Sequence, residues 1–417
     1  MKTLLAIAFI WFGCAVAWLV LGSTLVYRSG EMSGELTREV DQLWGPPLVQ
    51  QPPRASYREL KKTKEKVTTT SAQGVSTETE VEREVEQQFP LGLASSDIRA
   101  SLELEQRRKG LLWFATYGAG FEGRYEVVND SGARRDVELV FPLNTENAVY
   151  DGFQVTDASG TRVPVAIGQG GAHWKAPLDS GERTSFVVRY RSRGRSDWRY
   201  QLSDGTGKVE RFHLLMTTNF GDVDFPVGTL SPTRHEKTGG GWRGEWSFDS
   251  LISSSPIGVE LPQRLNPGPL ASRITFFAPV GLLFFVFVVA VLAAARRQAL
   301  HPMHYFFFGC AFFAFHLLFA YLVDHLAIGV SFAIASAVSL LLVVSYARLF
   351  MGLLRALLVL ALPQLVYLVL FSATFFWEGY TGLSIAVGAV VTLFLVMQVT
   401  GRVSWSVVLA PKAAQAS

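Results

Sequence analysis

"ITFFAPVGLLFFVFVVAVLAAARRQALHPMHYFFFGCAFFAFHLLFAYLVDH", residues 274–325, decides what kind of protein this is. Its two apolar runs, 274–295 and 305–323, each approach the roughly 20 residues an α-helix needs to cross a bilayer. Arg296 and Arg297 lie between them, followed by a proline suited to the first turn of a helix. The segment predicts two membrane helices joined at a charged turn.

Three more spans are expected downstream, at about 327–347, 354–372 and 381–400, and one upstream at 4–27. For the upstream run a cleaved signal peptide competes, since Lys2 and Ala15-Val16-Ala17 fit that pattern. Apolar residues continue to Tyr27, well past that site, so an uncleaved anchor is the expectation. Lys2, Arg296, Arg297, Arg348, Arg355, Arg402 and Lys412 all fall on one side of a six-span arrangement. The opposite short loops, around Asp324 and Glu378, contain no lysine or arginine. By the positive-inside rule both termini are expected in the cytoplasm and residues 28–273 outside it. Trp377, Tyr380 and Trp405 fall where an aromatic belt would sit.

Charge separates the chain into two materials. The 417 residues carry 38 basic and 35 acidic side chains, a net charge of +3. That balance argues against nucleic acid as a partner, because phosphate binding needs a concentrated basic surface. Most of the charge lies in 28–273, whereas 274–400 is almost wholly apolar. The two cysteines, Cys14 and Cys310, both fall in apolar segments, so no disulfide framework is expected in the polar region.

Within 28–273 the residues alternate at the two-residue period of half-buried strands, as in "RYEVVN" (124–129), "DVELVFPL" (136–143), "TSFVVRYRS" (184–192), "RFHLLMTT" (211–218) and "VELP" (259–262). Turn signals at 129–132, 157–160, 179–181 and 239–241 separate them. The pattern predicts a mainly antiparallel, sandwich-like β-domain set between spans 1 and 2 of an α-helical transmembrane bundle. Residues 61–87 are highly charged, yet their valines and threonines favour a protruding hairpin turning at Ala72-Gln73-Gly74. "LWGPPLVQQPP" (43–53) suits an extended lead-in to the sheet. Trp174, Trp198, Trp242 and Trp246 are expected to fill the core.

Chemistry is sparse. "GTGK" (205–208) lacks the spacing and hydroxyl residue of a phosphate loop and is expected to be a turn. His173, His213 and His235 form no ligand-spaced pair, and the serines of "SSD" (95–97) and "ISSS" (252–255) have no evident base. No catalytic, cofactor-binding or metal-ligating residue is therefore assigned.

The polar residues of the membrane block are the candidates that remain. His316 lies midway along the third span, either as a neutral imidazole bonded to a serine, tyrosine or backbone carbonyl of a neighbouring helix, with Ser336, Ser339 and Tyr367 as candidates, or as part of a proton or substrate pathway. Gln364 and Gln398 are the other long polar side chains there, which makes a thin relay. Asp324 and His325 either pair with the exported domain or mark the water boundary. Pro363 is expected to kink the fifth span and free a carbonyl. At 301–304, His301, Met303 and His304 are weighed as soft metal ligands, and as a helix start with Pro302 in the first position. They are weighed too as a lipid-phosphate site formed with Arg296 and Arg297. The helix start is preferred.

The order of parts, with "LHPMHYFFFGCAFFAFHLLFAYLVDH" (300–325), resembles the CreD (Cet) family of bacterial inner-membrane proteins. The stretch looks like that family's Leu-His-Pro-Met-aromatic signature entering a span closed by an acidic-His pair. "LWGPPLV" (43–49), "EQRRKGLLWFATYGAGFEGRYEV" (105–127) and "TTNFGDVDFPVGTLSPT" (217–233) are similar to further family segments. Residues 67–79 and 150–210 depart from its pattern. The resemblance implies an association with envelope integrity, colicin tolerance and a carbon-source-responsive two-component regulon; no enzymatic activity or cofactor is established for that family. It also makes the expected location the bacterial inner membrane. The expected divisions are an anchor (1–27), a periplasmic β-rich domain (28–273), a five-span domain (274–403) and a cytoplasmic tail (404–417). The expected role is non-enzymatic, supporting or sensing the state of the envelope. A small-solute or proton transporter using spans 3–6, or an accessory of a sensor kinase, are the alternatives. The partners implied are the lipid bilayer and either envelope proteins or that kinase.

Overall fold

Six helices are long and apolar enough to cross a membrane. In the computed structural model, which describes residues 2–70, 76–144, 148–202, 207–295, 300–377 and 379–401, they are α1 (Lys2–Leu43), α2 (Pro267–Ala295), α3 (Pro302–Leu322), α4 (Ile328–Met351), α5 (Leu353–Phe376) and α6 (Thr381–Thr400). The chain forms two compact units, Met1–Glu35 with Leu265–Ser417, and Leu36–Arg264.

Two helix boundaries differ from the sequence expectation. The first helix runs past Tyr27 to Leu43, so residues 28–43 are helical rather than the start of a β-domain. A helix already nucleated by an apolar span propagates cheaply through glutamates, leucines and arginines, which are good helix formers. It stops where Gly45 adopts φ 122° and Pro46-Pro47 follow. The second helix begins at Pro267, ahead of the expected Ile274, because Pro267 and Pro269 fit a first turn.

In the helical unit a column of phenylalanines, including Phe285, Phe308, Phe312, Phe315 and Phe319, is fully buried. Phe285 and Phe312 have ring centroids 4.8 Å apart. Lipid is as apolar as these side chains, so fit rather than water exclusion holds the helices together. Gly281 shows how tight the fit is: a Cβ there would stand 2.5 Å from the Tyr367 carbonyl oxygen of α5. Around Pro363, α5 winds through π-type turns at Leu357–Ala361 and Leu365–Leu370. The span continues through the proline by widening its hydrogen-bond ladder.

The β unit contains fifteen strands among the described residues, in three sheets. A seven-stranded sheet has the order β13-β14-β12-β4-β5-β10-β7. These strands are β4 (Leu93–Lys109), β5 (Leu112–Val128), β7 (Tyr150–Asp157), β10 (Arg183–Arg195), β12 (Gly207–Thr218), β13 (Arg234–Thr238) and β14 (Gly241–Ser253). A five-stranded sheet has the order β3-β2-β6-β9-β8, formed by β2 (Arg54–Thr70), β3 (Ser76–Leu91), β6 (Arg135–Pro142), β8 (Ala166–Gly168) and β9 (Gly171–Leu178). A small third sheet joins β1 (Leu48–Gln50), β11 (Asp197–Tyr200) and β15 (Ile257–Glu260). Most pairings are antiparallel; β4 with β12 and β1 with β11 are parallel.

The sandwich core lies where inward residues of the two larger sheets meet. Phe121 and Tyr125 of β5 pack on Phe141 of β6 at 6.0 and 6.4 Å, and Trp174 of β9 meets Phe186 of β10 at 5.1 Å. All four tryptophans expected in the core are buried. Tyr117 ties in the small sheet, donating to the Asp197 carbonyl at 2.9 Å and accepting from the Leu48 N–H at 3.2 Å. The charged hairpin is present as β2 and β3 in unbroken antiparallel register. Its expected turn at Ala72-Gln73-Gly74, like Gly205-Thr206 of "GTGK", lies outside the described residues.

Candidate functional site

The helix start at 301–304 is built from hydrogen bonds. His301 occupies the N-cap and Pro302 the first turn; the His301 Nδ1 accepts from the Met303 N–H at 3.3 Å. His304 bonds through Nδ1 to the Tyr346 hydroxyl of α4 at 2.8 Å and stacks on Phe350 with ring centroids 4.2 Å apart. The Met303 side chain is exposed. Arg296 and Arg297 lie outside the described residues. Among the described residues no three His, Cys, Asp or Glu side chains gather as a metal site.

His316 is buried on α3, but its partner is none of the three residues the sequence suggested. Its Nδ1–H donates to the Phe312 carbonyl one turn back, at 2.8 Å, and its ring meets Trp18 of α1 edge-on at 5.5 Å. Ser336 turns back on its own helix, to the Phe332 carbonyl at 2.7 Å, and Tyr367 bonds Thr392 at 2.7 Å. Ser339 belongs to a different cluster: it donates to the Ala311 carbonyl at 2.7 Å and accepts from Gln364 Nε2 at 2.8 Å. That cluster links α3, α4 and α5 through one serine. Asp324 takes a partner on α1, the Arg28 guanidinium at 2.8 Å, which also lies over Tyr321. Among the described residues, His325 makes a backbone bond to the preceding turn, its N–H meeting the Leu322 carbonyl at 2.9 Å.

A second feature stands on the outer face of the seven-stranded sheet. The outward positions of β5 include Gly118 and Gly120, so the sheet has a floor with no side chains there. Register sets the walls. Glu103 of β4 and Arg193 of β10 flank Gly118; Ser101 and Arg191 flank Gly120. Trp44 closes one end, stacked between Arg107 at 3.4 Å and Arg193 at 4.6 Å. The end of α1 is fixed beside it, since Asp41 pairs with Arg195 through both carboxylate oxygens, at 2.5 and 3.0 Å. The trough over Gly118 holds a cavity of 550 Å³ that continues past Ser101 and Gly120 into one of 710 Å³. Further along, Arg189 grips Glu122 in a fork at 2.9 and 3.2 Å. On the same face His213 lies between Asp97 at 3.0 Å and Glu245 at 3.3 Å, a pairing across three strands that the isolated histidines did not suggest.

The fork has a consequence in acid. The hydrogen bonds from Arg189 hold the Glu122 carboxyl below its ordinary range. A depressed folded pKa contributes stability above the unfolded value and loses it as pH falls through the folded one. Glu122→Gln is therefore expected to destabilise the β unit at neutral pH, by at most about 1 kcal/mol for so exposed a pair. The difference from the parent should begin to shrink as pH falls below about 4.3 and vanish only once the depressed folded value is passed. Melting curves of both proteins at pH 7 and pH 3.5 check this.

Residues 225–406 match the family described as inner membrane protein CreD. No curated protein matches the chain. One solved structure with a similar trace is a Legionella pneumophila protein proposed to bind nutrients, at 11% identity and a TM-score of 0.30, over 50% of this chain and 78% of the other. A likeness so slight bears on neither fold nor function. The match spans the end of the β unit and the helical block, so over those residues the chain is similar to the CreD family of inner-membrane proteins, and the six apolar helices among the described residues support a multi-pass inner-membrane protein.

Proposed function

We propose that the protein has a non-enzymatic role in supporting or sensing the integrity of the cell envelope, with the β unit exported as its interaction surface. The observation that carries this reading is the division of the chain into a lipid-embedded helical unit and a β unit whose broad outer sheet face is charged and grooved. The distribution of lysine and arginine favours cytoplasmic termini and a periplasmic β unit. The ion pair between Arg28 and Asp324 agrees with that arrangement, because it sets the place where the apolar run of α1 ends level with the end of α3. In this reading His301, Pro302 and His304 shape a helix start, while His316 and Asp324 fasten α3 to α1. The Ser339–Gln364 cluster fixes helix positions, since an amide in lipid needs an internal partner.

Deletion of the gene tests the proposal. Cells lacking it are expected to lose resistance to detergents or wall-active antibiotics, and the wild-type copy should restore it. Unaltered growth, morphology and permeability across such stresses would count against an envelope role.

A further inference from the structure

We infer that the trough over Gly118 and Gly120 binds a small zwitterion, a free amino acid or short peptide with unblocked termini. Its ammonium group lies against Glu103 and its carboxylate against Arg193. The inference deepens the reading of the β unit as an interaction surface and rests on it only for where the ligand is met.

The glycines are the first observation. Neither Gly118 nor Gly120 has a positive φ, so the backbone does not demand glycine at either place. A Cβ on Gly118 would meet nothing within 4 Å, and one on Gly120 would meet only the Ser101 hydroxyl. Glycine inside a strand gives up packing and backbone entropy, and it commonly marks where another molecule approaches the main chain. Here the fold leaves the space open on a central strand.

The charges are the second. The register places Glu103, Gly118 and Arg193 side by side on three adjacent strands, so the two charged residues stand about 10 Å apart across the floor. Farther along, Glu105 is paired with Arg107 at 2.6 Å and Arg191 with Asp151 at 2.7 Å, so Glu103 and Arg193 are the charges set across the floor. Arg193 lies over the Trp44 ring at 4.6 Å, a cation–π contact that places its guanidinium at the edge of the trough. A polyanion would be repelled by Glu103 and a polycation by Arg193. A molecule carrying one charge of each sign meets both, and the cavity of 550 Å³ between them is of the size that encloses small ligands.

The test uses the full chain in lipid nanodiscs, titrated with alanylalanine, its N-acetyl derivative and its C-terminal amide, and read by calorimetry. The free dipeptide is expected to bind and each blocked form to bind at least tenfold more weakly. Gly118→Leu, whose Cβ would meet nothing within 4 Å, fills the trough and should abolish binding while the melting temperature holds. Arg193→Gln should erase the preference for the free carboxylate, and Glu103→Gln the preference for the free amine. Equal binding of all three peptides, binding of none, or a Gly118→Leu protein that binds like its parent would overturn the inference. An altered stress phenotype without dipeptide binding removes this inference alone; dipeptide binding without any phenotype removes the envelope role alone.

Discussion

Trp18→Ala is expected to weaken the helical unit by an amount near the lower end of the about 3–5 kcal/mol typical of a buried tryptophan. Trp18 has no exposed surface, and its ring packs on Phe313 at 6.0 Å and His316 at 5.5 Å. In water the loss would combine a transfer term with a cavity term. Between membrane helices the transfer term shrinks, because an unpacked side chain would face lipid. The cavity dominates, and α1 has few other side chains so deeply placed against α3. Trp18→Phe keeps most of the ring and should cost much less. Unfolding of the purified protein in detergent, followed by helical circular dichroism, measures both. A Trp18→Ala protein as stable as its parent would mean that α1 does not pack on α3 in this way.

Gly171→Val should damage the β unit by more than about 3 kcal/mol, through backbone strain and a broken ladder. Gly171 has φ 139°, a conformation that side-chain-bearing residues rarely adopt. It opens β9 opposite Pro142, and a Cβ would stand 2.0 Å from the Phe141 carbonyl oxygen. The obstacle is main chain and cannot rotate away. Gly118 is the control, since a side chain there meets open space. Two glycines of one domain therefore predict opposite outcomes: substitution at 171 should lower the melting temperature steeply, and substitution at 118 should not. Similar losses at both positions would contradict the account of the trough floor.

The membrane helices were legible because a bilayer leaves the backbone few choices: a run of about 20 apolar residues must satisfy its own polar groups as a helix. The strands of the β unit were legible from alternation, as in "TSFVVRYRS", which lies within β10. Residues 28–43 were not, because they carry no apolar run and owe their helix to the span before them. The partner of His316 was missed because its own helix supplied a carbonyl one turn back, a local solution that makes no mark on other spans. The trough was invisible for another reason. Glu103, Gly118 and Arg193 come from strands far apart in sequence, and only the register brings them into one row. The alternating glycines of "YGAGFEG" were the one available sign, since glycine inside a strand often means close approach.

The central claim is that the β unit faces away from the cytoplasm, where an envelope component can reach it. Single-cysteine labelling tests it most directly. In a protein with Cys14 and Cys310 replaced by serine, Ala158→Cys places one thiol on an exposed loop of the β unit. A membrane-impermeant maleimide, applied to cells whose outer membrane alone has been opened, is expected to label it fully. Labelling only after the inner membrane is lysed would place the β unit in the cytoplasm and contradict the account.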